Sequence, residues 1–156
     1  MSIPATVPQP FSTILTKSSN STSLFPESLE SSFRISLILA FVSAADDGDG
    51  YLEFNFSPSG CWAVYRFDAY RVRDESYICP CEPNIELRQM SDGFELTAKI
   101  SSDVLPQAAS WLIGLTAVIE TTDGQKTYWA LRHDAPQPDF HLCSQFLMPL
   151  SSINPS

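Results

Sequence analysis

The stretch Tyr51-Leu52-Glu53-Phe54-Asn55-Phe56-Ser57-Pro58-Ser59-Gly60-Cys61-Trp62-Ala63-Val64-Tyr65-Arg66-Phe67-Asp68-Ala69-Tyr70-Arg71 constrains the fold more than any other. Apolar and polar residues alternate on both sides of a Pro-x-Gly turn, which is the period of a half-buried strand and not of a helix. Pro58 and Gly60 suit the second and fourth places of a type I turn over Ser57 to Gly60. Read as a four-residue turn, this pairs Phe56 with Cys61, Phe54 with Ala63 and Leu52 with Tyr65 on an apolar face. The opposite face then pairs Asn55 with Trp62, Glu53 with Val64 and Tyr51 with Arg66.

Two further hairpins follow. Asp92-Gly93 reads as a type I′ turn. It sets Ile85 against Ile100 and Leu87 against Ala98 on a core side, with Glu86 facing Lys99 on the wet side. Asp123-Gly124 closes 112–121 against 125–132, setting Val118 against Trp129 and Ile119 against Tyr128. The run 112–119 is apolar on both faces apart from Thr116, so it belongs in the middle of a sheet covered on both sides. The apolar run 33–44 reads as a buried strand, too short to cross a bilayer, and Phe146–Met148 as a last short strand whose Pro149 places it at an edge. No helical period of any length occurs. The expectation is an all-β chain, an antiparallel two-sheet β-sandwich of jelly-roll type spanning 33–150, with a tail over 151–156.

Residues 1–32 are rich in Ser, Thr and Pro and carry no period, which reads as a segment without packed structure. Four cysteines, Cys61, Cys79, Cys81 and Cys143, lack the spacing of a zinc knuckle, and reduced thiols in a cytoplasmic protein are expected. Arg34 before the apolar run and Val42-Ser43-Ala44 after it imitate a signal peptide, but the preceding segment has the wrong charge for one. With 18 acidic against 9 basic residues the formal net charge is −9, which opposes binding to nucleic acid.

The polar face of the first hairpin offers Tyr51, Glu53, Asn55, Trp62 and Arg66. An aromatic plate beside carboxylate, amide and guanidinium groups is the chemistry that holds a sugar or another small polar molecule. A Glu53–Arg66 ion pair on a solvated face is the plain structural alternative. Trp129, and His133, Asp139 and His141 in the proline-held loop 132–141, complete the candidate binding set. In that loop Asp139 could orient either imidazole; Tyr70 and Arg71, which continue the first-hairpin block, could reach over a rim of the hairpin surface. No nucleophile elbow of the Gly-x-Ser-x-Gly kind accompanies them, so no reaction is assigned. No metal and no cofactor are expected; a histidine with Met90 or Met148 as haem ligands is the alternative.

Tyr51–Gly60, Trp62–Phe67 and Tyr70-Arg71 together resemble the middle of the bacterial DOMON-like domain proteins. Leu115–Glu120, Asp123-Gly124, Tyr128–Leu131 and Pro138–His141 resemble the C-terminal half of the same family. The resemblance covers residues 50–148 and implies a β-sandwich like that of family-nine carbohydrate-binding modules and of haem- or sugar-binding DOMON domains. It does not extend to residues 1–49, where the family has further strands and a Leu-Trp…Cys-Phe-Glu strand. Codons TTT CGA ATT TCT CTT for Phe33–Leu37, shifted by one base, read Phe-Glu-Phe-Leu. One expectation is therefore a non-native N-terminal part, a sandwich short of its first strands and a bare edge beside Tyr51–Ser57. The functional expectation is a non-catalytic module for a small molecule or sugar, with a protein-interaction domain as the alternative.

Overall fold

The computed structural model describes residues 11–16, 33–46, 48–90, 93–121, 123–133 and 137–151. Its strands are β1 (Phe11–Thr16), β2 (Phe33–Ala44), β3 (Tyr51–Phe56), β4 (Trp62–Ala69), β5 (Val72–Arg73), β6 (Asn84–Met90), β7 (Gly93–Ile100), β8 (Ser110–Thr121), β9 (Lys126–Ala130) and β10 (Met148–Ser151). Seven of them form one sheet, in the order β10-β8-β2-β3-β4-β5 with β9 also on β8; β1-β7-β6 form the second. All described pairings are antiparallel. The chain is an all-β two-sheet sandwich, as expected. Among the described residues no helix is long and apolar enough to cross a membrane.

The long apolar runs occupy the middle because a strand buried on both faces cannot carry polar side chains. β2 lies between β3 and β8 and pairs with both. The inner edge of Tyr51–Phe56 is thus covered, which overturns the expected bare edge. Within the segment read as lacking packed structure, β1 pairs with β7 from Phe11 opposite Ile100 to Thr16 opposite Glu95. The last strand starts later than expected: β10 begins at Met148, and Phe146 is instead buried, 3% exposed. Pro149 does sit on an edge strand, opposite Leu112.

Each hairpin forms, and each register differs from the sequence expectation. In the first, Gly60 N–H donates to Ser57 C=O at 2.9 Å and Ser57 N–H donates to Cys61 C=O at 2.9 Å. Gly60 has φ +85°, the left-handed conformation that glycine adopts without a Cβ penalty. This is a type I turn followed by a bulge glycine, which adds one residue to the loop. Phe56 therefore faces Trp62, Phe54 faces Val64 and Leu52 faces Arg66. A one-residue slip moves the whole of one strand to the other face. The third hairpin slips in the same way: Gly124 also has φ +85°, Val118 faces Tyr128 and Ala117 faces Trp129. The second shifts by two, so that Ile85 faces Ala98 and Leu87 faces Leu96. A two-residue shift preserves the faces, and Lys99 Nζ still lies 3.6 Å from Glu86 Oε1 along a diagonal.

Two apolar layers result. Between the sheets, Ile38, Ala40, Val42, Leu52, Phe54, Phe56 and Val64 pack against Leu96, Ala98 and Ile100. On the outer side of the seven-stranded sheet a second cluster joins Leu39, Phe41, Tyr51 and Phe67 to Phe146. Phe146 lies in a C-terminal strap over residues 139–146, which crosses that outer face. The strap approaches closely because β8 carries Gly114 beneath it: a Cβ there would stand 2.6 Å from Phe146 Cδ1.

Candidate functional site

The outer face of β3 and β4 carries Tyr51, Glu53 and Asn55 beside Tyr65 and Phe67, and the strap lowers His141 onto them. Tyr51 stacks on Phe67 with ring centroids 4.8 Å apart. His141 stands edge-on to Phe67 at 5.1 Å and to Phe41 at 5.4 Å. The imidazole is thus gripped by aromatic rings, and its two nitrogens meet polar groups.

Polar groups at both nitrogens favour one tautomer. Arg71 N–H donates to Tyr51 Oη at 3.2 Å, and Tyr51 Oη lies 2.8 Å from His141 Nδ1. The phenol oxygen keeps a second lone pair beside the one Arg71 takes, so the choice is made at the other nitrogen. The Glu53 carboxylate in front of Nε2 can only accept, which favours the proton there and leaves Nδ1 to accept from the Tyr51 hydroxyl. The proton of neutral His141 is then on Nε2, which faces Glu53 Oε2 at 3.8 Å. Burial holds the His141 pKa below its ordinary value of 6.5; Glu53 pulls it back up and Arg71 pushes it further down. Burial also raises the Tyr51 pKa, against the opposing Arg71 N–H. Glu53 is 8% exposed, and its Oε1 accepts from Asn55 Nδ2 at 2.9 Å.

A clamp holds the strap in place. Asp139 accepts from Tyr70 Oη, from Arg71 at 3.0 Å and from the backbone N–H of His141 at 3.1 Å. Burial raises the Asp139 pKa, but these donors outweigh it and leave the carboxyl below its ordinary value. Arg71 has φ +56°, unusual for a residue with a Cβ. Its backbone N–H and its guanidinium are both engaged, which ties the strained turn to the site.

Of the nine candidate residues the structure assembles Tyr51, Glu53, Asn55, Asp139 and His141. The bulge glycine sends Trp62 and Arg66 to the other face of the sheet. Trp62 packs against the inter-sheet core. Arg66 pairs with Asp68 at 3.3 Å and Asp74 at 3.9 Å, so the expected Glu53–Arg66 pair does not form. The slip of the third hairpin likewise places Trp129 opposite Ala117, on the inter-sheet side, where its Nε1 donates to Thr127 at 3.2 Å. His133 is exposed, 6.1 Å from the Phe140 ring. Glu53 and Tyr51, expected on an open surface, are buried beneath the strap. Asp139 orients His141 through its backbone and neither imidazole directly.

Phe41, Phe67, Tyr70 and Arg71 join the site from outside the expected set. For the last two, adjacency to the aromatic hairpin was a usable signal; for Phe41 and Phe67 nothing separates them from core residues. Cys143 lies on the strap, but burial, and then Asp49, push its thiol pKa up, and its Sγ rests 3.9 Å from Asp49 C=O. That is an unactivated thiol. A His–Met haem pair is not assembled: Met90 ends β6 in the other sheet, and Met148 stands opposite Ile113, which faces the inter-sheet core. Among the described residues no group of three or more His, Cys, Asp or Glu could hold a metal ion. Comparison with protein-family models, curated proteins and solved structures finds no match.

Proposed function

We propose that this chain is a non-catalytic binding module for a polyhydroxylated small molecule of the carbohydrate kind, held on the outer face of the seven-stranded sheet. The gap of 3.8 Å between His141 Nε2 and Glu53 Oε2 carries the reading. It is too long for a direct hydrogen bond, and one oxygen can stand about 2.8 Å from both atoms. That oxygen must accept from Nε2–H and donate to the carboxylate, which a hydroxyl does and neither an ammonium nor a carboxylate can. Asn55 offers an amide beside it. Tyr65, opposite Glu53, supplies an aromatic neighbour, with the Arg73 guanidinium 4.2 Å from its ring centroid. The resemblance to DOMON-like proteins supports the same reading.

A panel of neutral sugars and polyols tests this by thermal shift and calorimetry. At least one should stabilise the wild type and the Arg66→Ala variant, whose change lies on the other face. Glu53→Gln should weaken that binding at least tenfold, about 1.4 kcal/mol. No response to any neutral polyol, or an undiminished response in Glu53→Gln, overturns the proposal. A second reading, a protein-interaction domain, is favoured by the exposed Trp129, Leu131, Leu147 and Met148, which belong to β9, β10 and the residues flanking them. A chain that binds no polyol would leave that reading in place.

A further inference from the structure

The loop that carries the chain from β5 in one sheet to β6 in the other holds Tyr77, Cys79 and Cys81, all packed against the inter-sheet core, and ends at the buried Pro83. We propose that Cys79 and Cys81 are a redox-active pair that closes a reversible disulfide across Pro80.

Four observations lead there. Both cysteines pack on the same apolar cluster, so their side chains lie on one side of the loop. The Cys79 thiol folds forward over its neighbour: its Sγ donates to the Cys81 carbonyl at 3.0 Å. The chain bends at Pro80 and Cys81. Residues two apart cannot separate by more than about 7 Å even when extended, and a bend brings them toward the roughly 4.4–6.8 Å between Cα atoms that a disulfide spans. Both cysteines are only partly buried, which leaves each residue some exposure to solvent.

The other thiols are placed differently. Cys61 is exposed in the β3–β4 turn. Cys143 lies against Asp49, just before the opposite end of β3. The six residues of β3 separate these two by about 20 Å, so they cannot bridge each other.

The reaction is exchange with a low-molecular-weight disulfide such as glutathione disulfide. One thiolate of the pair attacks it, forming a mixed disulfide and releasing one glutathione thiolate. The second cysteine then attacks the protein sulfur of that mixed disulfide and releases the other glutathione. The protein loses two electrons and two protons, and one glutathione disulfide becomes two glutathione thiols. The Cys79 Sγ–H donor to the Cys81 carbonyl disappears, and the three-residue segment 79–81 within the crossover becomes covalently closed. This inference is independent of the ligand reading.

The test uses the full chain, reduced, desalted and incubated with glutathione disulfide, then alkylated and mapped by mass spectrometry. The expected product has lost the mass of two hydrogens, retains alkylated Cys61 and Cys143, and yields a peptide bridged between Cys79 and Cys81. Dithiothreitol should reverse it. Cys79→Ser and Cys81→Ser, each checked for the β circular-dichroism spectrum of the wild type, should abolish the bridge and stop at the mixed disulfide. Four alkylated thiols, stable glutathione adducts without a bridge in the wild type, or a bridge to Cys61 or Cys143 overturns the proposal.

Discussion

His141 is a neutral imidazole set among aromatic rings, and its neutrality has a consequence for stability. Its folded pKa lies below the ordinary 6.5, so near and below that pH the unfolded chain takes up a proton that the folded chain refuses. Stability is therefore full above about pH 6.5 and falls as pH drops from there through the lower folded value. Urea unfolding across this range should show the decline, and His141→Asn should flatten it. Asp139 has the same sign in a more acidic window: its contribution is present above its ordinary value of 3.8 and is lost as pH falls through the lower folded one. Thr116 adds a different prediction. Its Oγ1 is buried on β8 with no hydrogen-bond partner among the described residues, and an unmet hydroxyl costs more than it returns. Thr116→Val should raise stability by about 1 kcal/mol, read as a higher urea midpoint at unchanged slope.

At the scale of elements, the strap and the turn beneath it are the informative parts. Gly114 leaves room for the Phe146 ring, and a Cβ at that position would collide with it. Gly114→Ala should cost about 1–3 kcal/mol by overpacking and should open the strap to limited proteolysis before the sandwich unfolds. At the β4–β5 turn, Arg71 combines a left-handed backbone with an ion pair to Asp139. Arg71→Gly removes the ion pair but suits the backbone; Arg71→Ala removes the ion pair and keeps the strain. The melting temperature should therefore fall in the order wild type, Arg71→Gly, Arg71→Ala, with about 1 kcal/mol between the two variants. Equal melting temperatures would mean that the turn relaxes when the guanidinium is lost.

The whole molecule divides its apolar side chains between an inter-sheet core and an outer layer under the strap. Phe54, 0% exposed, belongs to the first. Phe54→Ala should destabilise the entire fold by about 3–5 kcal/mol, measured by global unfolding, because both sheets lose contacts together. The outer layer is smaller and positions the site. With a net charge of −9, the molecule as a whole repels anions, which agrees with the neutral ligand proposed above.

The alternation of apolar residues determined that this chain pairs strands, and the two-sided apolar run from Leu112 to Ile119 determined that its strand is central. Those are local properties: a strand's period and the polarity of its two faces are written in consecutive residues. Which face meets which partner was not local. Gly60 and Gly124 were legible as turn glycines, yet each takes the left-handed conformation of a bulge, which lengthens the loop by one residue and reverses the face of every side chain on one strand relative to its partner. Trp62, Arg66 and Trp129 left the site for that reason. His141 came to Tyr51 and Glu53, 90 and 88 positions away, through packing that no short window contains: a glycine on β8 that admits Phe146, and a strained arginine that holds Asp139. The strand content is a matter of neighbours along the chain; the site exists because a C-terminal segment crosses a sheet face, and only the tertiary fold brings the two together.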